Sequence, residues 1–346
     1  MSTKEFSANR LKWVDSIRGI AIVLMTIDHI HYFILRQHYS EFWGRELPKY
    51  ANMASGVMRY LSHLCAPLFF VCLGISVGIV CTKKTTGVHK YFWLKALKLI
   101  LLELFIVNII WAVSGNWDFY GEVAYPGKGQ NMLHFGVLSC LGLTSVIAHY
   151  MVKMKNRELM AISAVCFILP QIAIGLVPSV DYAVNPVIRL LLVPGTTGIM
   201  GVLYPVIPWL GYVCIGLLLF NIREDKKLKM KLSVLCLTST IALLLFVYVG
   251  NSVMIKYPLN FTYLFYTLIF ISILVLIRGS IVDHVGSIFA MFGRKSLLMY
   301  VAHLVIYFVV GIILRNYNIC YCVAGTIWIA SLVILYLICK IKWLRL

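Results

Sequence analysis

Helical spacing places a charged pair and a histidine on one face of an apolar segment near the start of the chain. Asp15, Arg18 and His29 belong to a series that steps by three and four residues, which keeps them on one helix face. His29 lies about 16 Å beyond Arg18 along such a helix. The series predicts a cation near one membrane surface and, deeper, an imidazole able to act as general base or transient nucleophile. The alternatives are a surface ion pair and a histidine that only joins helices.

Other ionisable residues lie in apolar segments, where lipid penalises charge and each such group is a candidate for function. Asp28 adjoins His29, Arg59 and His63 are four residues apart on one predicted face, and His134 opens a further segment. The three histidines are predicted at similar depth, and any of them could be the base. Arg59 alone is better explained by snorkelling to the surface.

A second theme is a possible phosphate site. The sequence FGRKS puts Arg294, Lys295 and Ser296 at a predicted helix N-terminus, on the same side of the membrane as Asp15 and Arg18. Free backbone N–H groups and the helix dipole at such a position can hold a phosphate. The alternative is the ordinary excess of basic residues on the cytoplasmic side.

Two more buried ionisable groups are predicted. Glu103 lies in the middle of its segment and is expected to pair with a cation or to line a proton route. His303 is also deep, and we expect it to make a hydrogen bond in the core.

The composition identifies the elements that must position these residues. Of 346 residues, 61% are hydrophobic and only 13% charged, and the mean hydropathy is +0.88. Soluble, disordered, collagen-like, coiled-coil and disulfide-framework proteins are excluded, and nucleic-acid binding is not expected despite a formal charge of +18. We predict an all-α polytopic membrane protein, a single domain over residues 1–346. Its ten helical segments are predicted at 18–35, 56–81, 91–113, 131–152, 158–178, 203–221, 231–250, 260–278, 296–314 and 321–340.

The loops set the predicted orientation. Most of the 31 basic residues fall on alternate connections, which places both termini in the cytoplasm by the positive-inside rule. The first apolar segment has no small-residue cleavage site, so we expect it to be retained. The stretch 185–202 is apolar but broken by proline and glycine, which favours a re-entrant or interfacial segment over an eleventh crossing. No Cys/His spacing predicts a metal site.

The first segment, RLKWVDSIRGIAIVLMTIDH, resembles the opening motif of the heparan-α-glucosaminide N-acetyltransferase catalytic-domain family. This family belongs to a superfamily of transmembrane acyltransferases that includes acyltransferase-3. Residues 62–76, 204–219 and 292–306 are also similar to its bacterial members. The resemblance implies that cytoplasmic acetyl-CoA is the donor substrate and that a carbohydrate or glycan is acetylated on the far side. Arg18, Arg294 and Lys295 would then hold CoA phosphates, and the thioester would reach His29.

The resemblance has one departure at the candidate base. The lysosomal animal enzymes have Asn at the position of His29, and their functional histidine follows in the first luminal segment. Here that segment contains His31 and His38, neither of which is in register. The acyltransferase-3 branch has a histidine at the end of the motif, as this chain does. The acceptor is therefore not carried over, and heparan sulfate is not expected.

Three functions are compatible with the sequence. The leading one is an acyltransferase of the bacterial plasma membrane, whose partners are the lipid bilayer, acyl-CoA and a glycan acceptor. A secondary transporter or flippase is the alternative, although a carrier would be expected to show related halves and a midplane site. A non-catalytic scaffold would have no affinity for CoA. Homo-oligomerisation stays open.

Overall fold

The computed structural model describes residues 11–341 apart from 38, 40, 85, 117–132, 178 and 285. Within these residues the chain forms fifteen α-helices, with two π-helical turns at Glu103–Val107 and Leu245–Val249. The helices are α1 (Lys12–Phe33), α2 (Met53–Ser62), α3 (Cys65–Lys83), α4 (Val88–Leu102), α5 (Asn108–Asn116), α6 (Val137–Met151), α7 (Asn156–Ile174), α8 (Pro186–Leu191), α9 (Val206–Asn221), α10 (Leu228–Leu244), α11 (Phe261–Leu276), α12 (Arg278–His284), α13 (Gly286–Arg294), α14 (Ser296–Ile313) and α15 (Tyr321–Lys340).

The helices agree with a polytopic membrane protein. Six helical segments in the described part of the chain are long and apolar enough to cross a membrane. Each of the ten predicted segments contains a helix, but α6, α9 and α11 are shorter than 18 residues. The count of ten and the cytoplasmic termini therefore stay predictions. His38, residues 1–10 and 342–346, and the start of the fourth predicted segment lie outside the described residues.

The second predicted segment is not one continuous helix, because a proline interrupts it. Pro67 has no N–H to donate to the carbonyl of His63, and its ring clashes with the preceding turn. The chain accordingly leaves the helix at His63 and Leu64, between α2 and α3. The His63 carbonyl instead accepts a hydrogen bond from the hydroxyl of Tyr263, 2.8 Å away. The sequence analysis did not predict this break, which places Arg59 in α2, before the two residues that precede α3.

Glycines allow the central helices to touch through their backbones. Gly74 of α3 lies against the carbonyl of Val213 in α9, and Gly216 of α9 lies against the carbonyl of Val71 in α3. A Cβ at either glycine would overlap these carbonyls, so only glycine permits this approach. This backbone contact holds α9 closely against α3.

Between the predicted segments 260–278 and 296–314, where no helix was predicted, the chain forms α12 and α13. Helix α13 packs along the first turns of α1, where Gly19 meets the carbonyl of Phe289 and Gly293 meets the carbonyl of Asp15. The sulfur of Cys339 in α15 also donates to the Met291 carbonyl. Because α13 is short and only partly apolar, no membrane-length pattern revealed it.

A small sheet interrupts the all-α architecture. Strands β1 (Leu133–Phe135), β2 (Gly195–Thr196) and β3 (Met200–Val202) pair in the order β1-β3-β2. The segment 185–202 is thus a short helix and a β-hairpin rather than an eleventh crossing. Arg189 is fully buried beneath it and donates to the carbonyls of Ser179 and Thr196. The sheet holds β1, and with it His134, against the bundle.

Candidate active site

One cavity of about 490 Å³ runs beside α1 and is lined by α3, α4, α6 and the loops that precede α2 and α11. Asp15 and Arg18 line one end, which we call the Arg18 end. Asp28 and His29 line the other, which we call the His29 end. Between them the wall is largely apolar, formed by Met25, Phe69, Leu73, Leu99, Leu138 and Leu141. The helical spacing of Asp15, Arg18 and His29 therefore does bring them to one space.

The Arg18 end is rich in positive charge. The Arg18 guanidinium donates to the Asp15 carboxylate at 3.1 Å and to the Ser76 hydroxyl of α3. Lys83 and Lys95 line the same end, and the sequence analysis gave neither a role in the site. Three cations against one carboxylate give this end a potential that attracts anions.

Only part of the predicted phosphate segment at the start of α14 lines the cavity. Helix α14 begins at Ser296, as predicted, and Ser296 lines the cavity. Arg294 and Lys295 are not among its lining residues. The Lys295 ammonium donates to the Ile341 carbonyl at 2.7 Å, which ties it to the end of α15. Of the three residues predicted here for the phosphate site, only Ser296 therefore shares the cavity with Arg18.

At the His29 end, His29 is the first member of a hydrogen-bonded chain. Its Nδ1 lies 2.7 Å from Nε2 of His303, and Nδ1 of His303 lies 2.9 Å from the Met299 carbonyl oxygen. The two rings are nearly parallel, with centroids 4.9 Å apart. His303 therefore makes the core hydrogen bond expected of it, but its partner is the candidate base itself.

The two hydrogen bonds of His303 show which ring nitrogens of His29 and His303 carry a proton. A carbonyl oxygen only accepts, so Nδ1 of His303 carries a proton. Nε2 of a neutral His303 is then an acceptor, and Nδ1 of His29 is the donor. The lone pair of a neutral His29 is consequently on Nε2. A partner on one nitrogen that fixes the tautomer of the other is the arrangement general bases require.

Asp28 does not act on His29 through a hydrogen bond; it belongs to an ion-pair network. Its carboxylate accepts from Arg59 at 2.7 Å and from the Ser62 hydroxyl at 3.0 Å. Arg59 also donates twice to Glu41, at 2.8 and 3.1 Å. Arg59 is 6% exposed, so snorkelling to the surface is wrong: two carboxylates compensate its charge inside the protein.

His63 lies behind this network rather than in the cavity. Its Nε2 is 3.3 Å from the Glu41 carboxylate, and the residue is buried but is not a lining residue. Burial raises the pKa of Glu41, but the charges of Arg59 and His63 outweigh it and hold that pKa well below its usual range. Arg59 and His63 do share a face, as predicted, and that face meets Glu41.

His134 lines the cavity from β1. The side chain of Asn108 holds its backbone, donating to the His134 carbonyl at 3.1 Å and accepting from the His134 N–H at 3.2 Å. Next to it, the Glu103 carboxylate accepts from the Ser139 N–H at 2.8 Å and so caps the start of α6. Glu103 pairs with backbone there and not with a cation, which was one of its two expected roles; the proton route stays a prediction.

Aromatic rings and one lysine complete the His29 end. Trp111 packs edge-on to His29, with ring centroids 5.6 Å apart. Lys256, from the loop before α11, is 6% exposed and lies over the rings of Tyr257 and Tyr204. Sequence reasoning missed Lys256 and Glu41 because both lie in loops. The rarity of acidic residues, 13 in the chain, was the one available signal for Glu41.

Among the described residues, no three His, Cys, Asp or Glu side chains are grouped as they would be around a metal ion.

Two comparisons with known proteins bear on this site. The family model described as heparan-alpha-glucosaminide N-acetyltransferase, catalytic, matches residues 10–260, which include α1 to α10 and the loop that carries Lys256. None of the curated proteins compared with the chain matches it.

Proposed function

Because the chain belongs to the heparan-alpha-glucosaminide N-acetyltransferase catalytic-domain family, we propose that it is an integral-membrane acetyltransferase. The donor is acetyl-CoA from the cytoplasm, and the acceptor is a carbohydrate-type amine or hydroxyl on the opposite side of the membrane. The observation that carries this proposal is a continuous cavity that has Arg18 at one end and His29 at the other. A donor with a charged head and a long neutral arm suits a cavity that is basic at one end and apolar in the middle.

The donor is held first by charge. The diphosphate of acetyl-CoA lies at the Arg18 end, where Arg18, Lys83 and Lys95 supply positive charge. Asp15 and Ser76 orient the Arg18 guanidinium by accepting hydrogen bonds from it. Arg294 and Lys295 lie outside the cavity and contribute to the potential at its entrance only. The pantetheine arm follows the apolar wall toward His29.

The reaction is a direct transfer with His29 as general base. The acceptor nitrogen or oxygen attacks the thioester carbonyl while Nε2 of His29 takes its proton. The C–S bond then breaks, and the CoA sulfur leaves with the proton that His29 returns. His303 keeps Nδ1 of His29 in place throughout, because its own Nδ1–H is fixed on the Met299 carbonyl. The apolar wall keeps water from competing for the thioester.

The remaining candidates have supporting roles. Asp28 lines the cavity beside His29 and is oriented by Arg59, so it accepts a hydrogen bond from the acceptor. His63 positions Glu41 from outside the cavity. His134 lines the cavity and is the second candidate base. A transporter or flippase is the alternative from the sequence; the fixed tautomer of His29 favours the enzyme, because a general base must present its lone pair to the acceptor.

The proposal is tested with purified protein in detergent, radiolabelled acetyl-CoA and glucosamine as the acceptor. We expect saturable acetyl-CoA binding and acetyl transfer. In His29→Gln, binding should be preserved while turnover falls about 10² to 10⁴-fold, the range for loss of a general base. His149→Gln is the matched control, since His149 is not a lining residue of the cavity.

Two results would overturn the proposal. Wild-type protein that shows no saturable acetyl-CoA binding would exclude this donor and favour the carrier or scaffold. Full turnover in His29→Gln, with His134→Gln inactive, would move the base to β1. A radiolabel that stays on the wild-type protein but not on His29→Gln would instead identify His29 as a transient acetyl carrier.

A further inference from the structure

Lys256 is a buried cation that lines the cavity and makes no hydrogen bond or close ion pair in the described part of the chain. Lys256 is 6% exposed. It lies in the loop between the π-helical turn that follows α10 and the start of α11. The ammonium lies 5.0 Å from the ring centre of Tyr257 and 5.8 Å from that of Tyr204. Within the described part of the chain, its nitrogen has neither a hydrogen bond nor a carboxylate within 4.0 Å. Ring faces attract a cation but accept none of its N–H bonds conventionally.

The nearby carboxylates make their close contacts with groups other than Lys256. Asp28 binds Arg59 and Ser62, and Glu41 binds Arg59 through both of its oxygens. Arg59 thus takes the close contacts of both carboxylates, and the charge of Asp28 acts on Lys256 only from beyond 4.0 Å. A buried ammonium with unfilled N–H groups costs stability unless a ligand completes it.

The position of Lys256 fits the acceptor rather than the donor phosphates. It lines the cavity with Asp28, His29 and Tyr257, whereas the basic residues suited to the donor lie at the Arg18 end. Tyrosine rings beside polar side chains are typical walls for a sugar, which presents an apolar face and hydroxyl edges. A cation within such a wall selects sugars that carry a negative group.

We infer that the acceptor is an acidic sugar, bearing a phosphate or a carboxylate, and that the Lys256 ammonium binds this group. The inference rests on the proposed function and adds the substrate class. Lys256 here determines specificity: it binds a part of the acceptor that does not react. The competing role for Lys256 is catalytic: its ammonium would donate a hydrogen bond to the thioester carbonyl oxygen while the acceptor attacks.

The test compares three amino sugars in the acetyl-transfer assay: glucosamine, glucosamine 6-phosphate and muramic acid, which carries a carboxylate. The variants are Lys256→Met, which keeps the length but not the charge, and Lys256→Arg, which keeps the charge. Lys49→Met is the control, because Lys49 is exposed and outside the cavity.

For the wild type, we expect at least one acidic sugar to have a KM about tenfold or more below that of glucosamine, as a charge-assisted hydrogen bond allows. Lys256→Met should remove this preference by raising the KM for that sugar to near the KM for glucosamine. Lys256→Arg and Lys49→Met should retain it. Which acidic sugar is preferred distinguishes a phosphate from a carboxylate.

Three results would overturn the inference. The wild type could prefer glucosamine, the preference could survive in Lys256→Met, or kcat could fall equally for all three sugars, which would put Lys256 on the thioester. A binding measurement separates this from failure of the proposed function. In detergent, an acidic sugar should raise the Tm of the wild type more than glucosamine does, but not that of Lys256→Met. If the acidic sugar raises the Tm in this way but no acetyl transfer occurs, Lys256 is an anion site and the proposed enzyme activity is rejected. If the acidic sugar raises the Tm no more than glucosamine does, the anion site is rejected.

Discussion

The two ends of the cavity use charge in opposite ways. At the Arg18 end, Arg18, Lys83 and Lys95 line the space with one carboxylate, Asp15, so positive charge is in excess. At the His29 end, two cations, Arg59 and Lys256, are matched in number by two carboxylates, Asp28 and Glu41. An excess of charge binds an anion without fixing its position precisely. Compensated charge and a fixed tautomer hold reacting atoms in one geometry.

The comparison implies that substitutions at the two ends should affect different measurements: stability and turnover at the His29 end, donor affinity at the Arg18 end.

The largest effect is expected from Glu41→Gln. It leaves buried Arg59 with only Asp28, and loss of a partner from a buried ion pair costs about 3 to 5 kcal/mol. Because the pKa of Glu41 is below its usual range, its stabilisation is present above the carboxyl's ordinary pKa and lost only as the pH falls well below it. We therefore expect a lower Tm in detergent throughout about pH 5 to 8. Glu46→Gln, at an exposed position, is the control. Equal Tm values for the two variants would show that the Arg59 network is not buried as described.

The next effect is expected from His303→Ala, which removes the acceptor from Nδ1 of His29. Without it, His29 samples both tautomers and several ring orientations, so kcat should fall about 10 to 100-fold, the usual cost of losing a supporting partner. Acetyl-CoA binding should be unchanged, because no phosphate-side residue is touched. Steady-state kinetics and equilibrium binding on the same preparation check this. A loss of binding with normal kcat would reverse the roles of the two ends.

The smallest effect is expected from Arg18→Ala. Removing one of three cations should raise the Kd for acetyl-CoA about tenfold and leave kcat at saturation nearly unchanged, since a charge-assisted hydrogen bond contributes about 1.5 to 3 kcal/mol. Arg294→Ala carries the same change of charge outside the cavity and should have a smaller effect. If both variants bind equally weakly, the phosphates lie beside α14 and not within the Arg18 end.

Much of the helical framework was predictable, because lipid demands long apolar segments and those are visible in composition alone. The exceptions have local causes. Pro67 breaks the second segment, and α13 is too short to give a membrane-length pattern. The strand that carries His134 pairs with residues 200–202, more than sixty positions later, and no local signal predicts such a pairing.

The candidate site divides in the same way. Asp15, Arg18 and His29 share a helix face because 3.6 residues make a turn, so their approach to one space followed from the sequence. The partners could not be foreseen: His303 is 274 positions from His29, and Glu41 reaches Arg59 from a loop.

By itself, the amino-acid sequence determined that this chain is a helical membrane protein and that α1 carries a charged and an imidazole-bearing face. Helical periodicity and hydropathy are local properties and can be read along the chain. Only the tertiary structure decided which imidazole has its tautomer fixed, which cations face the cavity and which are neutralised. Those outcomes depend on contacts between distant segments, and packing of the whole bundle sets them.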